Sequence, residues 1–290
     1  MIRSSKDRSP EKPNKTLSAK LFHNLCQVNL QRFAWHPPFS GEKLPFSAAV
    51  LKWIAVVTML IDHVGAAIIL YVCRHNGVKA ANDLTYNILR DIGRVAFPLY
   101  IFMLVEGFSH TKSAPKYLLR LSIFALISEV PFDLAFRDKY LDLGYQNVFF
   151  TLLIGLACIF VMDRLEKTVM KLTEKGTKLT AVRLYLTFLN LGVIAAGSAL
   201  AWLLKTDYSA IGVLAICVMY LWRFYPLAGS LFCCLILFLS SLREVYCLAA
   251  LIPISLYNGK RGRQPRYFFY AFYPVHLLLL YLLRLLILSR

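Results

Sequence analysis

Two of the most apolar segments of this chain carry residues that apolar segments normally exclude. LKWIAVVTMLIDHVGAAIILY begins at Leu51 and DIGRVAFPLYIFMLVEGFSHT at Asp91; between them they hold Asp62, His63, Asp91, Arg94, Glu106 and His110. An ionisable side chain at membrane depth costs roughly 2.5–3.5 kcal/mol on insertion scales, so residues kept there mark a polar site. His63 can exchange a proton near neutral pH, and the carboxylate of Asp62 could orient or charge it. Adjacent helix positions face about 100° apart, so Asp62 could equally be a structural pair serving another helix. Arg94 needs an anionic partner, with Asp91, Glu129 and Asp133 as candidates; a structural ion pair and substrate binding both fit. SEVPFD (128–133) sets Pro131 between two acids, where a kink would free backbone groups to line a cavity.

Helices crossing a bilayer must position these groups. The 290 residues are 58% hydrophobic with mean hydropathy +0.56, beyond what soluble domains reach. The apolar runs predict an all-α polytopic bundle of about nine spans, near 48–72, 91–110, 115–136, 147–163, 182–204, 208–223, 226–241, 242–258 and 266–288. Residues 1–47 form a polar, basic tail ahead of a transmembrane domain over 48–290. Leu17, Phe22, Leu25, Val28 and Phe33 fall at roughly helical intervals, fitting either a helix on the membrane surface or a loosely ordered tail.

The net charge of +17 does not indicate nucleic acid, because Lys and Arg concentrate in alternate loops. This positive-inside pattern, strongest at Arg164–Lys178 and Lys260–Arg266, puts the N-terminus in the cytoplasm of a multi-pass cell-membrane protein. Seven cysteines lack CxxC or Cys/His spacing and read as small buried hydrophobes; no metal is expected. P-loop, GxGxxG, HExxH and GxSxG signatures are absent from the sequence.

On this topology Asp62, His63, Asp91, Arg94, Glu129, Asp133, Asn147, Thr151, Asp207 and Tyr208 share the outer half. Glu106, His110, Tyr270, Tyr273 and His276 fall in the inner half or near mid-depth. Lys52 lies near the inner end of the first span, eleven residues or about 16 Å below His63.

LKWIAVVTMLIDH, GRVAFPLYIFMLVEGFSHT, YLLRLSIFALISEVPFD, NVFFTLLIGL, DYSAIGVL and YFFYAFYPVHLLLL together resemble, in order, the TraX family of conjugation-associated membrane proteins. The resemblance covers roughly 48–288 and implies N-acetylation of a pilin-like subunit with acetyl-CoA as donor. The chain is also similar to membrane-bound acyltransferases that O-acetylate surface polysaccharides, which carry a basic residue, ten others and then His in the first span. Here these are Lys52 and His63, with Lys for the commoner Arg, and Glu106 stands where Ser is usual in VEGF (105–108).

The resemblance implies an acetyltransferase in which His63 is the general base, Asp62 orients or charges it, and Arg94 binds an acceptor carboxylate or steadies the oxyanion. Glu129, Asp133, Asn147, Thr151, Asp207 and Tyr208 would face the acceptor, a pilin amine or another cell-surface group. Lys52, Glu106, His110, Tyr273 and His276 would face acetyl-CoA, with Lys112 also at the inner mouth. Two rivals stand beside this reading: a proton-coupled transporter, which should show inverted repeats that the sequence lacks, and a non-catalytic assembly factor for a surface apparatus.

Overall fold

The computed structural model describes residues 44–174, 179–265 and 267–289. The tail to residue 43, with its expected surface helix and Cys26, lies outside the described residues, as do Lys175, Lys178 and Arg266.

The first helix, α1, runs from Ala48 to His75 and contains one π turn, Gly65–Ile69. At 28 residues it is about 42 Å long, more than the ~30 Å hydrocarbon core requires. After a 3₁₀ turn (Ala80–Asn82) come α2 (Leu84–Gly93), α3 (Ala96–Ser109), α4 (Ala114–Arg137), α5 (Val148–Glu174) and α6 (Leu179–Leu203). Then follow α7 (Ser209–Leu221), α8 (Pro226–Phe238), a 3₁₀ segment (Leu242–Ala250), α9 (Leu251–Ser255) and α10 (Phe268–Leu288). Strand pairing among the described residues is confined to two isolated bridges, Phe46 with Tyr257 and Gln146 with Thr206.

Among the described residues, four stretches are long and apolar enough to cross a membrane: Ala48–His75, Val148–Lys171, Leu179–Leu203 and Phe268–Leu288. The protein is thus a multi-pass membrane protein. Ser209–Leu221 and Pro226–Phe238 are apolar but shorter. At about 20 Å each, α3, α7 and α8 do not span the hydrocarbon core as straight helices. Helix α3 compensates by being internal: ten of its 14 residues are buried. Helix α6 is the opposite, with only Val182, Ile194, Gly197 and Ala201 buried and Leu184, Phe188, Leu191 and Trp202 turned outward.

Two stretches differ from the sequence expectation. The polar loop expected before residue 91 holds α2, started by Asp83, whose carboxylate accepts from the Tyr86 N–H at 2.6 Å. Its apolar stripe Leu84, Ile88, Ile92 is exposed, while Arg90 turns to α1. The second span therefore breaks around Arg94 and Val95 rather than starting at residue 91. The eighth expected span is the 3₁₀ segment plus the five residues of α9. Pro253 has no N–H to donate there, and irregular backbone at such depth is tolerated where protein surrounds it. Pro131, by contrast, is carried inside α4.

Contacts sort the helix ends into two faces. At one, Tyr257 donates to Glu106 (3.0 Å) and Arg223 pairs with Glu166 (2.7 Å). At the other, Arg243 pairs with Asp91 (3.2 Å), Arg284 with Asp138, and Gln146 bridges Thr206. Residues 44–47 belong to the first face, strapped to 256–261 by Phe46 N–H on Leu256 O (3.1 Å) and Asn258 N–H on Phe46 O (2.8 Å).

Candidate active site

A cavity of about 470 Å³ opens among α1, α2, α4, α10 and the starts of α3, α5 and α7. That volume is in the range of small-molecule sites. Phe97, Phe132, Phe136, Phe149, Tyr208 and Tyr273 supply apolar wall; Asp62, His63, Arg90, Arg94, Arg137 and Asp207 supply the polar groups.

His63 is held by His276 of α10. Its Nδ1 lies 2.7 Å from His276 Nε2, and His276 Nδ1 lies 2.7 Å from the carbonyl oxygen of Phe272. The two rings are parallel to within 3°, with centroids 5.0 Å apart, so they meet edge to edge in one plane. A carbonyl oxygen can only accept, which puts a proton on His276 Nδ1. With both rings neutral, His276 Nε2 then accepts from His63 Nδ1–H. The free lone pair of His63 is left on Nε2, for which no described residue is a hydrogen-bond partner. Phe136 and Tyr273 meet the ring edge-on, at centroid distances of 5.3 and 5.9 Å, and fix its plane.

Asp62 serves other partners. Its carboxylate accepts from Arg90 (2.5 Å) and Arg94 (3.0 Å), not from His63. Neighbouring positions on α1 thus diverge, as the helical twist dictates. Arg94 also reaches Glu244 (2.7 Å) and gives its Nε–H to the Arg90 carbonyl (3.1 Å). Two arginines and two carboxylates form an ion-paired set, in which Glu244 Oε2 is buried without a hydrogen-bond partner among the described residues. Gly93 makes it sterically feasible: a Cβ there would lie 2.2 Å from the Cβ of Asp62. With its donors engaged, Arg94 has little left for substrate, whereas Arg137 stacks over Tyr145 (4.7 Å) and has no ion-pair partner among the described residues.

The junction before α7 forms the remaining wall. Tyr208 and Ser209 adopt φ 59° and 45°, left-handed values that cost L-residues free energy and persist only when held. The holding contacts are Thr151 Oγ1 on the Asp207 carbonyl, Tyr145 OH on Asp207 Oδ1 (2.8 Å), and the Phe97–Tyr208 stack with centroids at 3.8 Å. Gln146 N–H on Lys205 O (3.1 Å) adds to them. No described residue donates to Asp207 Oδ2.

The predicted site residues therefore divide. Asp62, His63, Arg94, Asp207, Tyr208 and Tyr273 line the cavity, and His276 touches it through His63. Glu129, Asp133, Asn147 and Thr151 do not line it. Asn147 caps α5 by accepting from Phe149 N–H (2.9 Å) while its amide binds Glu129, and Asp133 accepts the Asp142 N–H (2.6 Å). Glu106 and His110 pair with each other (3.1 Å) at the Tyr257 end, outside the cavity lining; Lys112 is exposed. Lys52 donates to Gln264 (2.7 Å) above the ring of Phe269, which does line the cavity.

Arg90, Glu244, Tyr145, Arg137 and Arg284 were not singled out from sequence. Arg284 carried the same signal as His63, a charge inside an apolar run. It is 1% exposed, donates to the carbonyls of Ala135 (2.8 Å) and Leu134 (3.1 Å) at the end of α4, and pairs with Asp138. Arg90 and Glu244 escape the sequence expectation because they sit on α2, where a loop is expected, and in a 3₁₀ segment, where a regular span is expected. The six cysteines in described positions are buried and free of disulfides. Among the described residues no His, Cys, Asp or Glu cluster is placed to hold a metal.

A protein described as "Probable fimbrial assembly protein FimC, serogroup H1" from Dichelobacter nodosus is 28% identical over 263 residues, covering 83% of this chain and 96% of its own length. No solved structure matches. The family model described as TraX protein matches residues 47–284, from the strap before α1 to Arg284 in α10, and the chain belongs to the TraX family.

Proposed function

We propose that the protein is an integral-membrane acetyltransferase that moves an acetyl group from cytoplasmic acetyl-CoA to an acceptor at the outer side. The favoured acceptor is the amine of a pilin-like peptide N-terminus. The observation that carries this reading is the His63–His276 pair, which presents an unpartnered ring nitrogen at a partly aromatic cavity between helices. Basic loops at the Lys52 end support a cytoplasmic placement of that face.

His63 Nε2 accepts the proton of the attacking amine as nitrogen bonds to the thioester carbonyl carbon. The carbon–sulfur bond then breaks, and the imidazolium returns the proton to the departing thiolate. His276 keeps Nδ1–H of His63 in place and shares the positive charge that develops. Arg137, the lining cation with no ion-pair partner among the described residues, is the group available to the oxyanion. Asp207 Oδ2 is available to the ammonium of an incoming acceptor. The name of the Dichelobacter relative favours an acceptor that belongs to a surface fimbria or pilus.

The test is transfer of radiolabelled acetyl from acetyl-CoA in membranes with and without the chain. Label should enter a membrane or pilin fraction only when the protein is present, and acetyl-CoA should raise the unfolding temperature of the purified protein. Absence of both effects would leave transport or non-catalytic assembly as the better reading. Cysteine labelling should find 138–146 accessible from outside and 258–263 from the cytoplasm.

A further inference from the structure

The segment Gly259-Lys260-Arg261-Gly262-Arg263-Gln264 lies across the start of α1. Gly259 and Gly262 adopt φ 72° and 69°, and a Cβ on Gly262 would meet Ser47 Oγ at 2.4 Å, so only glycine permits the close approach. The carbonyls of Lys260 and Arg261 accept the N–H groups of Ala48 (2.8 Å) and Ala49 (3.1 Å) at the head of α1. In a trans peptide the C=O of one residue and the N–H of the next point in opposite directions. The N–H groups of Arg261 and Gly262 must therefore point away from α1, and neither makes a hydrogen bond among the described residues. The side chains of Lys260, Arg261 and Arg263 are exposed, and none has an ion-pair partner among the described residues. Outward N–H groups beside uncompensated cations form an anion cradle.

Side-chain contacts lead from this cradle toward the cavity. Gln264, its last residue, accepts from Lys52 Nζ at 2.7 Å; the same ammonium stands 5.5 Å from the ring of Phe269, which lines the cavity. From Lys52 to His63 is eleven residues of α1, about 16 Å. That is the scale of an extended thioester arm.

We propose that the Gly259–Gln264 loop binds the phosphate-bearing nucleotide end of the thioester donor, whose acyl arm runs past Lys52 and Phe269 to His63. This rests on the acetyl-CoA reading above. An anionic lipid headgroup presents the same phosphate chemistry, and the experiment separates the two.

The full chain is placed in nanodiscs of neutral lipid, and affinities for CoA, adenosine 3′,5′-bisphosphate and pantetheine are measured for the wild type and for Arg261→Gln/Arg263→Gln. Thermal unfolding confirms that the variant is folded, and Lys260→Gln provides a second, independent variant. The expected result is competition between the bisphosphate and CoA, CoA affinity weakened about tenfold or more in the double variant, and unchanged pantetheine binding. Undiminished CoA binding by the folded variants overturns the loop assignment alone. A wild type that binds no CoA overturns the donor reading and this proposal together. If the substitutions change only the stabilisation gained from adding phosphatidylglycerol to the discs, the loop is a lipid contact and the proposal fails.

Discussion

Asp62 and His63 are neighbours in sequence, yet they belong to two polar regions built on opposite principles. Asp62 joins Arg90, Arg94 and Glu244 in a set where each charge already has a partner. His63 has one partner, His276, and one ring nitrogen left over at a cavity. An ion set whose charges pair with one another at membrane depth fixes helices; a ring nitrogen free to take a proton at a cavity is what general-base chemistry needs. The difference teaches that depth and ionisability alone do not separate a charge already paired between helices from a group with a free ring nitrogen at a cavity.

The largest expected effect tests the open side of this contrast. His63→Ala should lower acetyl transfer by about 10²–10⁴-fold while leaving the unfolding temperature in detergent nearly unchanged. A fully active His63→Ala would move the chemistry elsewhere. Arg94→Ala should show the reverse pattern: it leaves Asp62 and Glu244 with one arginine between them and should destabilise the fold by about 3–5 kcal/mol, read as lost folded yield and a lower unfolding temperature. If Arg94→Ala is as stable as the wild type but inactive, the ion set is catalytic and the contrast collapses.

His276 lies between these cases. His276→Ala should reduce the rate about 10–100-fold, by analogy with partners that orient metal-bound histidine rings, with kcat falling more than the acceptor KM changes. His276→Gln, whose amide oxygen can accept from His63 Nδ1–H, should recover part of the loss without restoring the wild-type pH profile. Gly93→Ala should cost about 1–3 kcal/mol in thermal unfolding through the clash with Asp62. Gly192→Ala, with nothing within 4 Å of its added carbon, should be close to neutral and serves as the control.

The smallest effect concerns the loop between α4 and α5. The Gly144 backbone N–H and Lys139 hold the Asp142 carboxyl below its ordinary value of 3.8. A depressed folded value means its contribution is present above 3.8 and is lost as pH falls through the folded value. Asp142→Asn should therefore weaken the loop slightly at neutral pH and make no difference in strong acid, as amide exchange at Gly144 would report.

Much of the bundle was legible as runs of apolar residues near twenty long, because a lipid-facing helix must satisfy its backbone internally and present hydrocarbon outward. Where that rule relaxes, legibility fell. Helix α3 is short because it is enclosed by protein, α2 is amphipathic because it lies beside α1 rather than spanning, and Leu242–Ala250 leaves the α-helical path inside the bundle. The candidate site was legible as a set of depths. Asp207, Tyr208, Arg94 and His63 were placed in one layer and do share a cavity. Glu129, Asp133, Asn147 and Thr151 were placed in the same layer and lie off the cavity lining, because depth carries no information about which way a helix is rotated.

The sequence by itself determined that this is a multi-pass membrane protein of the TraX family, with buried charge and histidine at fixed heights along its helices; composition and residue spacing are one-dimensional properties and survive without a fold. Only the tertiary structure decided that Asp62 turns to Arg90 and Arg94, that Arg94 reaches Glu244 across 150 residues, and that His276, 213 residues on, holds His63. Those pairings depend on the azimuth of each helix about its axis, and azimuth is set by side-chain packing between helices, which no single segment encodes.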